Sequence, residues 1–339
     1  MAKVVLDAVG GDHAPVEAVR GALLAAERGY LSLPEILFVG PEAQVRSALE
    51  AEGVTGDSAR VLDAPDLLTG EESPTDAMRK KPRSSIAVGI RTVKQNGAGA
   101  FISAGSTGTV VAAATLGLRC LEGIRRPAIA AMIHGEKNPF LVLDVGANPQ
   151  PKPLHLAQYA LMGSAYYSAA FGVDRPRVGI LNIGSEDLKG NALVKESRAL
   201  LKQMSLNFCG NIEGIDVFSG DFQVVVCDGF TGNVLLKVSE GVAEYLLRTV
   251  QQAMQKVGVP QDRSKAVMGE VLPRVDYSEY GGALLLGVEG IVTICHGRSK
   301  APAFCNAIRF AVKAMGAGVN EHIVRAAAAL SIPNATSRP

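Results

Sequence analysis

The stretch Phe222-Gln-Val-Val-Val-Cys-Asp-Gly-Phe-Thr-Gly-Asn233 decides the fold. Its first half, Phe222–Cys227, is a short, nearly continuous apolar run rich in Val. That pattern belongs to a strand covered on both faces. Gly229-Phe230-Thr231-Gly232 supplies a turn, and a helical pattern follows over Asn233–Lys256. A buried strand passing through a glycine turn into a helix is the repeating unit of a parallel α/β sheet. The same device follows Ala100–Ser103, where Gly105-Ser106-Thr107-Gly108 leads into a helix over Thr107–Leu121. Both turns read Gly-x-Thr-Gly.

The alternation extends outward in both directions. Further strands are expected at Lys3–Asp7, Glu35–Val39, Arg60–Ala64, Ala128–Ile133, Phe140–Asp144, Arg177–Asn182 and Ile291–Cys295. Helices are expected at Pro15–Arg28, Glu42–Glu52, Ser84–Gln95, Leu154–Phe171, Asn191–Met204 and Ala301–Ala329. The fold class is therefore α/β: a doubly wound, mostly parallel sheet in a three-layer α/β/α sandwich. No linker divides residues 1–331, which read as one compact unit, and the tail over 332–339 reads as frayed. Pro260 and Pro273 interrupt the alternation, so residues 257–280 read as a helical excursion from the sheet.

Composition narrows the function classes. The chain has 339 residues, 47% hydrophobic and 20% charged, which allows a sizeable core and excludes wholesale disorder. Lys and Arg number 34 against 33 Asp and Glu, which argues against a general nucleic-acid or membrane-surface binder and leaves room only for a local basic patch. Trp is absent and aromatics are 5%, leaving Val, Leu, Ile and Ala to build the core. The five Cys form no Cys-x-x-Cys pair, read as core residues, and suit a reduced, cytoplasmic chain. The stretches 96–118 and 153–173 lack charge, but Gly, Ser and Thr break the first and His155, Gln158 and several Ser the second. Neither reads as a membrane span.

The strand exits carry the candidate chemistry. Gly10-Gly11-Asp12-His13, Gly105 to Gly108, Asp144 to Asn148, Asn182 to Glu186 and Gly229 to Gly232 all sit there. In an open parallel sheet such exits share one edge, where ligands bind. Helix N-termini offer free N–H groups, and glycines let the backbone approach an anion, so the expected ligand is a small anion such as phosphate. The phosphate-binding candidates are Gly10, Gly11, Asp12, Gly105, Ser106, Thr107, Gly108, Asn148, Gly229, Thr231 and Gly232. Lys189 could pair with phosphate or a developing oxyanion, or be a solvated loop lysine. Asn233 could donate to a carbonyl or phosphate oxygen, or cap a helix. His13 could position phosphate, shuttle a proton, or brace its loop. His296 reads as structural. Arg79-Lys80-Lys81-Pro82-Arg83 is the densest basic run, either a solvated face or a dock for an acidic partner. Dinucleotide, P-loop, nucleophile-elbow and zinc-protease motifs are absent, and the five His lack metal-ligand spacing. No cofactor and no metal is expected.

Six ordered motifs resemble the bacterial phosphate acyltransferases of phospholipid synthesis. They are Asp7-Ala-Val-Gly-Gly-Asp-His-Ala-Pro15, Ile102-Ser-Ala-Gly-Ser-Thr-Gly108, Leu143-Asp-Val-Gly-Ala-Asn148, Gly184-Ser-Glu-Asp-Leu-Lys-Gly-Asn191, Val226-Cys-Asp-Gly-Phe-Thr-Gly-Asn233 and Tyr280-Gly-Gly282. Ser106 stands where that family often has Asn, Val9 where it usually has Met, and Pro82 interrupts the basic run. The resemblance implies a phosphotransacetylase-like homodimer. It implies reversible transfer of a long-chain acyl group from acyl carrier protein to inorganic phosphate, giving acyl phosphate for a membrane glycerol-3-phosphate acyltransferase. It makes Lys189 and Asn233 the catalytic pair, to which the residue reading adds His13 as a catalytic candidate, and it assigns carrier docking to Arg79, Lys80, Lys81 and Arg83. It also implies dimer or peripheral membrane contact by the excursion, taken as about 234–280. Two alternatives stand beside it: a phosphotransacetylase-like enzyme acting on acyl-CoA, and a non-catalytic acyl-carrier-binding scaffold.

Overall fold

The computed structural model describes residues 3–69, 72–275 and 281–329. Tyr280 of the sixth motif and the tail over 332–339 lie outside these residues. The elements run β1 (Val4–Asp7), α1 (Val16–Glu27), β2 (Ile36–Gly40), α2 (Glu42–Ala51), β3 (Arg60–Asp63), α3 (Pro74–Lys80), α4 (Ser85–Lys94), β4 (Ala100–Ser103) and α5 (Thr107–Gly117). Then come β5 (Ala128–Ile133), β6 (Phe140–Leu143), α6 (Pro153–Phe171), β7 (Val178–Asn182), α7 (Ala192–Leu201), β8 (Phe208–Glu213) and β9 (Val224–Val226). The chain continues through α8 (Gly229–Lys256), α9 (Gln261–Val275), β10 (Ala283–Leu286), β11 (Ile291–Ile294), α10 (Ala301–Gly316) and α11 (Val319–Ala329).

One sheet orders the strands β3-β2-β1-β4-β11-β10-β5-β6-β9-β7-β8. Alternate side chains feed two cores, one on each face. Val4, Leu6, Ile36, Phe38, Leu141 and Leu143 pack under α1, α6 and α10. Val5, Leu37, Val39, Phe140, Val142 and Val225 pack under α4 and α5. Burial on both faces is why these strands read as continuous apolar runs rather than alternating ones. The sandwich is thus three-layered and mostly parallel, as expected.

The strand exits do not share one edge. Pairing is parallel throughout except at β11–β10, β10–β5 and β5–β6. Three successive reversals leave β1, β2, β3, β4 and β11 running one way and β6, β7, β8 and β9 the other. The β5–β6 link covers only residues 134–139, too short for the crossover of a dozen or more residues that parallel neighbours need. Two of the reversals involve β10, a strand the sequence reading did not anticipate. Also unanticipated are β8, where Cys209, Gly210 and Asn211 interrupt the apolar pattern, and α3. The expected helix Ala301–Ala329 is two helices, parted at Gly318 with φ +59°. Within the expected excursion, Gln261–Val275 forms α9, which packs against α8, and residues 276–280 lie outside the described residues.

Candidate active site

Each half of the sheet ends in a carboxylate that organises its own exit. Asp7 is buried; its Oδ1 accepts the N–H groups of Val9 and Gly10 at 3.1 and 3.0 Å. The Ser103 hydroxyl donates to Asp7 Oδ2 at 2.6 Å and accepts the Gly105 N–H at 3.0 Å, joining the β1 and β4 exits. A Cβ on Gly10 would stand 2.7 Å from the Gly105 nitrogen, so glycine is required for this closure.

Asp144 does the same in the other half. Oδ1 accepts the N–H groups of Ile129, Gly146 and Ala147 at 3.0, 3.1 and 2.9 Å. Oδ2 accepts the Asn148 N–H at 2.7 Å and its Nδ2 at 3.1 Å. Burial pushes both carboxyls above their ordinary range, and the donated hydrogen bonds oppose that shift. Helix α8 docks on the 144–148 turn. The Gly229 N–H donates to the Asn148 carbonyl at 2.9 Å, and a Cβ on Gly232 would meet the Asp144 carbonyl oxygen at 1.9 Å.

The N-termini of α5 and α8 therefore come from oppositely directed half-sheets and border one cleft over the sheet's central strands. The cleft has two chambers. One, about 420 Å³, is walled mainly by apolar groups, among them Ile129, Ala131, Met132, Val145, Phe230, Leu236 and Ile294. The other, about 500 Å³, is lined by Gly10, Gly11, Asp12, Gly105, Ser106 and Thr107, with Asp7 and Glu72. Thr107, Lys237, Cys295 and His296 line both.

The expected site residues divide accordingly. Gly10, Gly11, Asp12, Gly105, Ser106 and Thr107 meet in the polar chamber, and Thr107, Gly108, Gly229 and Asn233 border the apolar one. Lys189, His13, Asn148, Thr231 and Gly232 line neither chamber. Asn148 is buried and committed: Nδ2 donates to the Pro127 carbonyl at 2.7 Å, and Oδ1 accepts from Arg126 at 3.3 Å. The Thr231 hydroxyl and N–H both donate to Asp228, which caps α8. Because α8 starts at Gly229, Asn233 lies inside the helix and does not cap it. Lys189 is exposed on the loop after β7, next to the β9 exit that carries Asn233.

Each cation of the basic run has a carboxylate partner. Arg79 and Lys80 pair with Asp76 at 3.0 and 3.7 Å, Arg83 with Asp63 at 3.1 Å, and Lys81 with Glu72. The cysteines are not uniformly core: Cys209 is exposed and Cys120 half-buried. Among the described residues, no group of three or more His, Cys, Asp or Glu could hold a metal ion. No described helix is long and apolar enough to cross a membrane.

Lys237 and Glu240 are not among the expected site residues, and His296, read as structural, lines both chambers. The signal was present on α8: Phe230, Asn233, Lys237 and Glu240 recur at helical spacing and line the apolar chamber. It could be used only once that face was known to meet the cleft. Burial, followed by the charge of Lys237, lowers the pKa of His296.

The fold and its facing helix N-termini define a phosphotransacetylase-like α/β protein. The phosphotransacetylase of Streptococcus pyogenes matches with a TM-score of 0.63 at 17% identity, over 93% of this chain and 94% of that one. A putative 4-hydroxythreonine-4-phosphate dehydrogenase of Salmonella typhimurium matches with a TM-score of 0.56 at 14% identity, over 93% and 99%. These likenesses establish architecture. Sequence goes further: residues 2–322 match the family model described as fatty acid synthesis protein. The phosphate acyltransferase of Geotalea uraniireducens is 45% identical over 326 residues, 95% of this chain and 93% of that protein. That of Desulforamulus reducens is 42% identical over 321 residues, 94% and 95%. The chain belongs to this phosphate acyltransferase family and is an acyltransferase.

Proposed function

We propose that the chain transfers a long-chain fatty acyl group from acyl carrier protein to inorganic phosphate, reversibly forming acyl phosphate for phospholipid synthesis. The observation that carries this reading is the pair of chambers. An apolar chamber suits a fatty acyl chain, a glycine-rich one suits a small anion, and the two share Thr107, Lys237, Cys295 and His296 as lining residues. Phosphate is itself the nucleophile, so the reaction needs no serine or cysteine nucleophile from the protein. Holding the two reactants in contact supplies much of the acceleration. Donors aimed at the tetrahedral oxyanion supply more, about 10²–10³ in rate for one good donor.

In this reading Asn233, on the chamber wall, donates to the oxyanion, and Lys189, on the neighbouring strand exit, offsets its charge. The glycine turns after β1 and β4 frame the phosphate, and His13, which follows the first of these turns without lining the chamber, is kept as a catalytic candidate. Arg79, Lys80, Lys81 and Arg83 remain the proposed carrier dock, with their paired carboxylates as competitors for it. The outer face of α8 supports contact with a second copy or a membrane surface: Val234, Val238, Val242, Tyr245 and Leu246 are 45%, 57%, 50%, 63% and 52% exposed. The acyl phosphate would pass to a membrane glycerol-3-phosphate acyltransferase.

A hydroxylamine trap for acyl phosphate tests the reading. Purified protein is incubated with phosphate and either palmitoyl-carrier protein or palmitoyl-CoA. Phosphate-dependent hydroxamate from the carrier donor is expected. Product from the CoA donor alone would move the assignment to a phosphotransacetylase-like enzyme. Carrier binding with no product from either donor would indicate a scaffold.

A further inference from the structure

The reaction proposed above brings a dianion into a chamber already lined by the carboxylates Asp7, Asp12 and Glu72, of which Glu72 is paired with Lys81. Some cation must offset that field. Among the described residues lining the two chambers, Lys237 is the one Lys or Arg, and it borders both. Its ammonium rests on Glu240 at 2.9 Å. The pair is asymmetric: the Lys237 side chain is 46% exposed and the Glu240 carboxylate side chain 8%. The lysine can therefore swing into the cleft on its flexible stem, whereas the carboxylate stays in the wall. Lys237 also lies one helical turn beyond Asn233, on the face of α8 that meets the cleft.

We infer that Lys237 is the phosphate-binding cation of the acyl transfer, held on Glu240 until phosphate arrives and then drawn to it at the junction of the chambers. This rests on the reaction assigned under the proposed function. The step balances without another reactant. An unprotonated oxygen of hydrogen phosphate attacks the thioester carbonyl carbon and a C–O bond forms. Collapse of the tetrahedral adduct breaks the C–S bond and sends its electron pair to sulfur. The proton carried by the phosphate passes to that sulfur, leaving acyl phosphate and a thiol. At the junction, one ammonium reaches both the phosphate oxygens and the adduct's oxyanion.

The test uses inorganic phosphate and the full chain. Phosphate binding is measured by ³¹P line broadening without acyl donor, and KM values for phosphate and palmitoyl-carrier protein are measured separately. Lys237→Met should weaken phosphate binding at least tenfold and raise the phosphate KM to match, with the donor KM within about twofold. Glu240→Gln frees the lysine and should leave phosphate binding unchanged or tighter. The double variant Lys237→Met/Glu240→Gln, which buries no lone carboxylate, should bind phosphate as poorly as Lys237→Met. Wild-type phosphate binding in Lys237→Met, or equal weakening in Lys237→Met and Glu240→Gln, would overturn the inference and reduce the pair to a structural tie. Absence of acyl phosphate from the wild-type enzyme would instead refute the assigned reaction, while the phosphate titration would still report on Lys237.

Discussion

Replacing Asp144 by Asn tests whether the turn beneath the apolar chamber is held by a full negative charge. The carboxylate accepts five hydrogen bonds, three on Oδ1 and two on Oδ2. An asparagine oxygen can keep the three donors from Ile129, Gly146 and Ala147. Its amide nitrogen then points at the Asn148 N–H and Nδ2, donor against donor. Two bonds to a charged acceptor are lost, each worth about 1.5–3 kcal/mol. Removing a charge that burial disfavours returns part of this, since the Asp144 pKa is already raised by desolvation. The net expectation is a loss of about 2–4 kcal/mol. Urea unfolding followed by circular dichroism should show a lower midpoint with unchanged slope. Turnover should fall as well, because Val145 and Gly146 in the same turn line the chamber. Asp144→Ala, which orphans all five donors, should be worse. A wild-type midpoint for Asp144→Asn would refute the reasoning, because it would mean that charge on this group contributes nothing to the turn.

Three further expectations follow from particular contacts. Gly232→Ala drives a Cβ to 1.9 Å from the Asp144 carbonyl oxygen and should cost at least about 1–3 kcal/mol, whereas Gly241→Ala, in open space on the same helix, should gain about 0.5–1 kcal/mol; equal urea midpoints for the two would sink the docking argument. Burial, with Asp7 adding, pushes the Cys295 thiol from 9.0 up to about 12. As pH rises from about 9 to about 12, an unfolded chain therefore sheds a proton that the folded one keeps, and stability falls by up to about 1.4 kcal/mol per pH unit. Cys295→Ala should flatten that alkaline slope; a slope that persists unchanged would assign it to other groups. Lys189→Ala should lower turnover at least tenfold while leaving the circular dichroism spectrum intact, and near-wild-type turnover would remove Lys189 from the catalytic assignment.

Much was legible without coordinates. Buried strands and their glycine turns are local patterns, readable wherever apolar runs such as 224–226 stop at a Gly. The family motifs are contiguous residues, and they led to the acyltransferase assignment directly. Strand direction is different. Side-chain periodicity is the same for a strand read either way, so nothing in Ala283–Leu286 or Phe140–Leu143 says which neighbour it pairs with. Only the tertiary structure turned one half of the sheet against the other and set the N-termini of α5 and α8 across a shared cleft. That arrangement sets Asn148 and Gly232 in packing outside the two chambers, and it brings Lys237 and His296 to the lining of both. A lysine on a helix is solvent-facing by default, and what singles out Lys237 is the buried Glu240 one turn away and its place in the lining of both chambers, which depend on strand pairings such as that of Ala100 with Ile291.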